Sequence, residues 1–394
     1  MARTNIDGGF MLRRLCLLVS CLVLIASCAV PPDSPRFEPS ADLPPFEQDS
    51  FADYVRENRA WISEHRAFIS DDHDLEIDMN APFEMRTETE PKRGILFVHG
   101  LGSSPWYFSD IATAMAKDGW LIRSILLPGH GTKSADLMLP DLDDWENIIA
   151  HQTTLLKNEV GEVWLGGFST GGNLVTSYAA HDPDVNGLLL FSPGFYPSNG
   201  YLFLAPAISY LWDWVDIDTE DNIPNYQSLP SHGASLYYQT VSKVQDDLTR
   251  ADYSRPVLIT MSQHDSVLDP IATLDAFQSR FTNPRSRFVW YGETPPNLDD
   301  PRVTALSSNL LDDRISTFSH MNVLFAPENP YYGRRGSHIM FENGQEGIPV
   351  PEDSETLWFG AWGQITPGKY HARLTWNPYF NNLLADIRTV TSQP

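Results

Sequence analysis

The chain has 394 residues, with 27 lysines and arginines against 51 aspartates and glutamates, and it is 42% hydrophobic and 12% aromatic. This composition excludes a disordered chain and a membrane bundle, and the length allows two or three domains or one large α/β domain with insertions. A formal charge of −24 repels phosphate backbones, and no basic cluster exceeds short pairs such as Arg334-Arg335, so nucleic acid is excluded as a partner. Cys16, Cys21 and Cys28 all lie within the first 28 residues. The body therefore holds no thiol for a disulfide, a nucleophile or a Cys-rich zinc site.

In chain order, Arg13-Arg14 precede an apolar run from Leu15 to Ile25, too short to span a bilayer but suited to a signal peptide. Met11-Leu-Arg-Arg reads as a more usual start than the ten residues before it. The run ends in Ile25-Ala26-Ser27-Cys28, which resembles the lipobox of bacterial lipoproteins. That resemblance implies a signal over residues 1–27, acyl chains on Cys28, and, with Ala29 following, an envelope protein held in the outer membrane and facing the periplasm. Removing the signal leaves 24 basic and 50 acidic side chains, so membrane association is expected through the acyl anchor rather than through charge.

Residues 28–50, with six prolines after the cysteine, read as an extended acylated tether. Phe51 to Phe68 reads as a helix with one broad apolar face, within an N-terminal extension over residues 51–91. From Gly94, short apolar runs alternate with amphipathic segments. Strands are expected at Ile95–Val98, Leu121–Leu127, Val163–Leu165, Leu188–Phe191 and Val257–Met261, and helices at Ser109–Lys117, Asp144–Leu156 and Gly172–Ala180. This alternation predicts an α/β fold, a mostly parallel sheet covered by helices on both faces, over residues 92–194 and 251–394 with a C-terminal extension. Residues 195–250, dense in Tyr, Trp, Phe, Leu and Pro, break the pattern and read as a cap insertion over the strand ends. Its aromatic residues, Trp212 and Trp214 first among them, are expected to line a pocket.

Gly167-Phe168-Ser169-Thr170-Gly171 is a G-x-S-x-G between an expected strand and an expected helix, the setting that holds a serine on a strained turn. A serine hydroxyl is a weak nucleophile. It needs a histidine to take its proton and an acid to orient that histidine. Asp265, just past the strand Val257–Met261, is the candidate acid, and Asp269 before Pro270 reads as a helix cap. His320, at the end of an expected strand from Ile315, is the candidate base, with His338 in Gly336-Ser-His338 as its competitor. His264 is adjacent to the acid and ill placed to reach Ser169. The oxyanion needs two donors: the amide of Thr170, and that of Leu101 in the loop after Ile95–Val98. His99 and His130 read as structural. No H-E-x-x-H or clustered ligand spacing suggests a metal.

Taken together, His99-Gly100-Leu101, Leu127-Pro-Gly-His-Gly131, the serine motif, Asp265 and His320 resemble the α/β-hydrolase superfamily over about residues 92–325, with carboxylesterases and monoacylglycerol lipases as the nearest relatives. The resemblance implies Ser169, Asp265 and His320 as catalytic residues, Leu101 and Thr170 as oxyanion amides, no cofactor, and a small, lipophilic ester as substrate. Two features depart from the minimal pattern: the 55 residues between Asp265 and His320, and the long segment after His320. A peptidase of the same fold and a non-catalytic binding lipoprotein are the alternatives. Oligomeric state is not legible.

Overall fold

A computed structural model describes residues 31–87, 90–295, 299–345, 349–351 and 356–392. The expected signal and Cys28 lie outside the described residues. The central sheet holds eight strands: β1 (Phe83–Met85), β2 (Arg93–Val98), β3 (Leu121–Ile125), β4 (Glu162–Phe168), β5 (Val185–Phe191), β6 (Val257–Ser262), β7 (Arg287–Tyr291) and β8 (Val303–Leu306). Their spatial order is β1-β3-β2-β4-β5-β6-β7-β8, and every pair is parallel except β1 with β3. The principal helices are α1 (Phe51–His65), α2 (Ser109–Lys117), α3 (Leu142–Lys157), α4 (Thr170–His181), α5 (Ser231–Arg250), α6 (Pro270–Arg280) and α7 (Phe380–Val390).

Alternation along the strands builds two cores. In β2, Leu96 and Val98 join Ile148 of α3, Val175 of α4 and Phe277 of α6. Ile95 and Phe97 face the other way, toward Ile111 of α2 and Leu383 of α7. Continuous apolar runs therefore identify the strands, because a parallel sheet is buried on both faces. Strands β7 and β8, not foreseen, occupy the long interval between Asp265 and His320.

The stretch expected as one cap divides in two. Residues 231–250 form α5, which sends Leu236, Val241, Val244 and Leu248 into the first core and lies on the crossover between the parallel strands β5 and β6. Only about residues 195–230 form the insertion, with a short helix (Ala205–Ile208) and a short antiparallel pair, Trp214–Asp216 with Leu229–Pro230. Three of its aromatic residues point outward, Tyr201 at 76%, Phe203 at 56% and Tyr210 at 89% exposed, while Phe195 is buried and Tyr196, Trp212, Trp214 and Tyr226 are half-buried. The Trp214 ring meets Phe37 edge-on at 5.3 Å.

Two further expectations are corrected. Ile315 makes only isolated bridges with Leu310 and Phe359, and residues 316–320 form a loop rather than the end of a strand. The expected tether is laid against the body from Arg36 onward: Phe37 meets Trp214, the Ser40 amide donates to Asp136 at 2.6 Å, and the Phe46 carbonyl accepts from Gln152. Prolines remove donors and fix φ, but they do not stop a chain from docking.

Helix α1 starts at Ser50, whose hydroxyl accepts the Asp53 amide, and buries Phe51, Tyr54 and Ile62. Just beyond it, Arg66 pairs with Glu76 at 2.6 Å, with both side chains buried. Arg66 also donates to the carbonyls of Gly131 and Ile223, and Glu76 accepts from the amides of Ile69 and Ser70. The pair thus ties the N-terminal extension to the insertion.

Candidate active site

Ser169 stands between the last residue of β4 and the first of α4, with φ 51° and ψ −117°. A β-substituted residue at positive φ is strained, and such strain persists only where surrounding bonds fix it. They do so here: the Ser169 amide donates to Phe191, and its carbonyl accepts from Gly172 and Gly194. A Cβ on Gly171 would run into the Val98 carbonyl, and one on Gly100 would stand 3.1 Å from the Ser169 Cβ. Close approach thus requires the motif's second glycine, and the glycine after β2 sits tightly against the serine turn.

Asp265 follows β6. One carboxylate oxygen accepts the amides of Val267 and Leu268 at 2.9 and 3.0 Å; the other accepts from His320 Nδ1 at 2.6 Å. That bond assigns the Nδ1 proton and leaves Nε2 for a second partner. His320 and Ser169 line the same cavity, of about 450 Å³. His338 lines the adjoining cavity instead, stacked on Tyr331 with centroids 4.9 Å apart. Asp269 caps α6, accepting from Ile271 and Ala272.

The loop carrying His320 is held by groups that sequence reasoning missed. Ser192 Oγ donates to the His320 carbonyl at 3.0 Å, Ser262 Oγ to the Phe318 carbonyl at 2.9 Å, and Ser319 Oγ to the Leu374 carbonyl. Ser192, at the end of β5, is itself at φ 41°. Serines ending successive parallel strands were the available signal.

The loop after β2 is fixed by two neutral histidines. His99 Nε2 accepts the Leu127 amide at 3.0 Å while Nδ1 donates to the Gly100 carbonyl at 2.8 Å. His130 Nε2 accepts the Gly102 amide at 3.1 Å while Nδ1 faces the Leu127 and Pro128 carbonyls. Both rings are buried, which disfavours the imidazolium: His99 is held well below its usual value and His130 is pulled down to about 4. Tyr226 of the insertion clamps the same loop, its amide donating to Gly102 at 2.7 Å. The amides of Leu101 and Thr170 are not taken by a hydrogen bond among the described residues, and both residues line the cavity.

The cavity is walled by the insertion (Leu202, Val215, Leu229) and by the C-terminal segment (Met340, Trp362, Arg373). Trp212 and Trp214, expected to line it, do not; Val215 does. The C-terminal segment is thus part of the site, which its sequence did not reveal.

A family model described as serine aminopeptidase, S33, matches residues 89–223, the stretch from β2 through the serine turn into the insertion. With the sheet order and that turn, the match decides the architecture. The chain has the α/β-hydrolase fold. The chain is 32% identical over 96 residues to a thermostable monoacylglycerol lipase of Bacillus sp. (strain H-257), a match covering 24% of the chain and 38% of the lipase's length. Among solved structures, one from work on the metagenome-derived lipolytic enzymes LipS and LipT has a TM-score of 0.48 at 20% identity, covering 54% of this chain and 86% of that one. A soluble variant of monoglyceride lipase from Saccharomyces cerevisiae has a TM-score of 0.46 at 15% identity, covering 57% and 85%.

Proposed function

We propose that this α/β-hydrolase is a serine hydrolase that cleaves carboxylic esters of lipophilic acyl substrates through an acyl-enzyme. The observation that carries the reading is the 2.6 Å bond from His320 Nδ1 to Asp265, with His320 and Ser169 lining one largely apolar cavity. In this reading His320 Nε2 takes the proton as Ser169 Oγ attacks the ester carbonyl, and Asp265 stabilises the imidazolium. The amides of Leu101 and Thr170 receive the oxyanion. Collapse expels the alcohol, which takes the proton from His320, and water repeats the sequence to release the acid.

The family description keeps a peptidase in view, since an aminopeptidase holds a substrate ammonium with a carboxylate. The described residues lining the cavity include an arginine and no carboxylate, which favours the ester. An ester series of graded acyl length beside a peptide panel tests the choice. Each buried methylene is expected to raise kcat/KM roughly fourfold until the cavity is full. Turnover confined to peptides would overturn the reading.

We further propose that acyl chains on Cys28 hold the protein in the bacterial envelope; no helix among the described residues is long and apolar enough to cross a membrane. Labelled fatty acid should appear on the wild type. Label retained in Cys28→Ser would refute the anchor.

A further inference from the structure

We propose that Arg373 and Asn222 form a subsite in this cavity for an anionic oxygen group, a carboxylate or a phosphate, carried by the substrate ester. The inference rests on the ester-hydrolase reading and narrows its substrate class.

Arg373 ends the short strand His371–Arg373 of the C-terminal segment and lines the cavity that holds Ser169 and His320. Its hydrogen bonds among the described residues are two long ones, Nε to Asn343 Oδ1 at 3.4 Å and Nη2 to the Glu342 carbonyl at 3.3 Å, which leave Nη1 without a partner there. Among the described residues it has no carboxylate within ion-pair distance, although burial weakens its charged form and Tyr107, the exposed Glu342 and Tyr332 only partly offset this. An arginine offers five donors in a planar fork matched to a carboxylate or phosphate, so one left unpaired in a half-enclosed cavity calls for such a partner.

Asn222, from the insertion, supplies the second donor. It is 2% exposed and lines the same cavity. Its Oδ1 accepts from the Tyr332 hydroxyl at 2.6 Å, which fixes the amide, and its Nδ2 is closed off from solvent without a partner among the described residues, so it meets a ligand only after a small side-chain shift. A buried donor without an acceptor is costly. Both donors line the one cavity, whose exposed wall is mostly apolar. Asp216, Asp218 and Asp221 line only the adjoining cavity, which shares Arg373. They set a negative background there, so selection for an anion must come from contact with the two donors rather than from the field of the whole protein.

The test uses two matched pairs with the full protein: 4-nitrophenyl hydrogen succinate against 4-nitrophenyl methyl succinate, and a monoacylglycerol 3-phosphate against the same monoacylglycerol. The first pair reads a carboxylate and the second a phosphate. In at least one pair the wild type should favour the anionic member in kcat/KM. Arg373→Gln should lower that anionic-to-neutral ratio about ten- to a hundredfold, the size expected for a charged hydrogen bond. Arg373→Lys should keep part of the ratio. Asn222→Asp, which keeps the acceptor for Tyr332 and replaces the donor with a like charge, should lower it as well. No anionic preference in either pair, or equal losses on both members of a pair, overturns the subsite while leaving the ester-hydrolase reading intact. Failure to cleave any of the four esters overturns both.

Discussion

The Ser192 hydroxyl donates to the carbonyl of His320 at 3.0 Å, so the imidazole is positioned by the end of β5, the strand beside the one that leads into Ser169. Ser192 touches no reacting atom and is a positioning residue. Ser192→Ala should cost about tenfold or more in kcat with little change in KM, since a small misplacement of a proton acceptor is felt in the chemical step and not in binding. Steady-state kinetics on one good ester decide it. An unaltered kcat would mean that Ser262 and Ser319 hold the loop unaided.

Ser169→Ala should lose fluorophosphonate labelling and up to about 10⁶ in turnover, with the fold retained. His320→Ala should also lose activity, whereas His338→Ala, in the adjoining cavity, should largely keep it. Labelling that survives in Ser169→Ala would move the nucleophile to another serine.

Acid stability should depend on His130. Its folded value of about 4 lies below the unfolded value of about 6.5, so between these limits the unfolded chain binds a proton that the folded chain refuses. Stability is therefore complete above about 6.5 and is lost as pH falls toward 4, by about 3 kcal/mol in all, and His99 acts in the same direction. Urea unfolding at pH 7 and pH 5 should show the fall, and His130→Gln should flatten it. An equal slope in the variant would assign the fall to other groups.

Breaking the Arg66–Glu76 pair should be expensive. Removing one partner strands the other charge in a buried site, at about 3–5 kcal/mol, so Arg66→Met should lower the urea midpoint sharply. Because Arg66 also holds the Ile223 carbonyl, insertion and extension should loosen together, which hydrogen exchange at residues 220–226 would report.

Five of the eight strands were legible because they are buried on both faces and read as continuous apolar runs, while β7 and β8 were not foreseen. Strand β1 escaped because it is a three-residue edge, and α5 because its aromatic composition resembled the insertion before it. The serine turn and the place of Asp265 just past a strand were readable from local patterns, whereas His320 was chosen on a strand that proves to be a loop, and the structure brings it to Asp265. Ser192, Asn222 and Arg373 were not: each is an ordinary residue locally, and its place in the site exists only after distant segments close on one another. Trp212 and Trp214 show the converse limit, since composition signals apolar area but not the direction in which a ring points.

The docking of residues 36–50 against the body sets a short leash. With Cys28 acylated as proposed, the seven residues from there to Pro35 reach roughly 25 Å even when fully extended. The body would stay within about one protein diameter of the bilayer, and the leash departs beside Trp214, next to the insertion that walls the cavity. A hydrolase moored as proposed would sample esters released at or lying in its own membrane, and its effective substrate concentration would be governed by that surface rather than by the volume of the compartment.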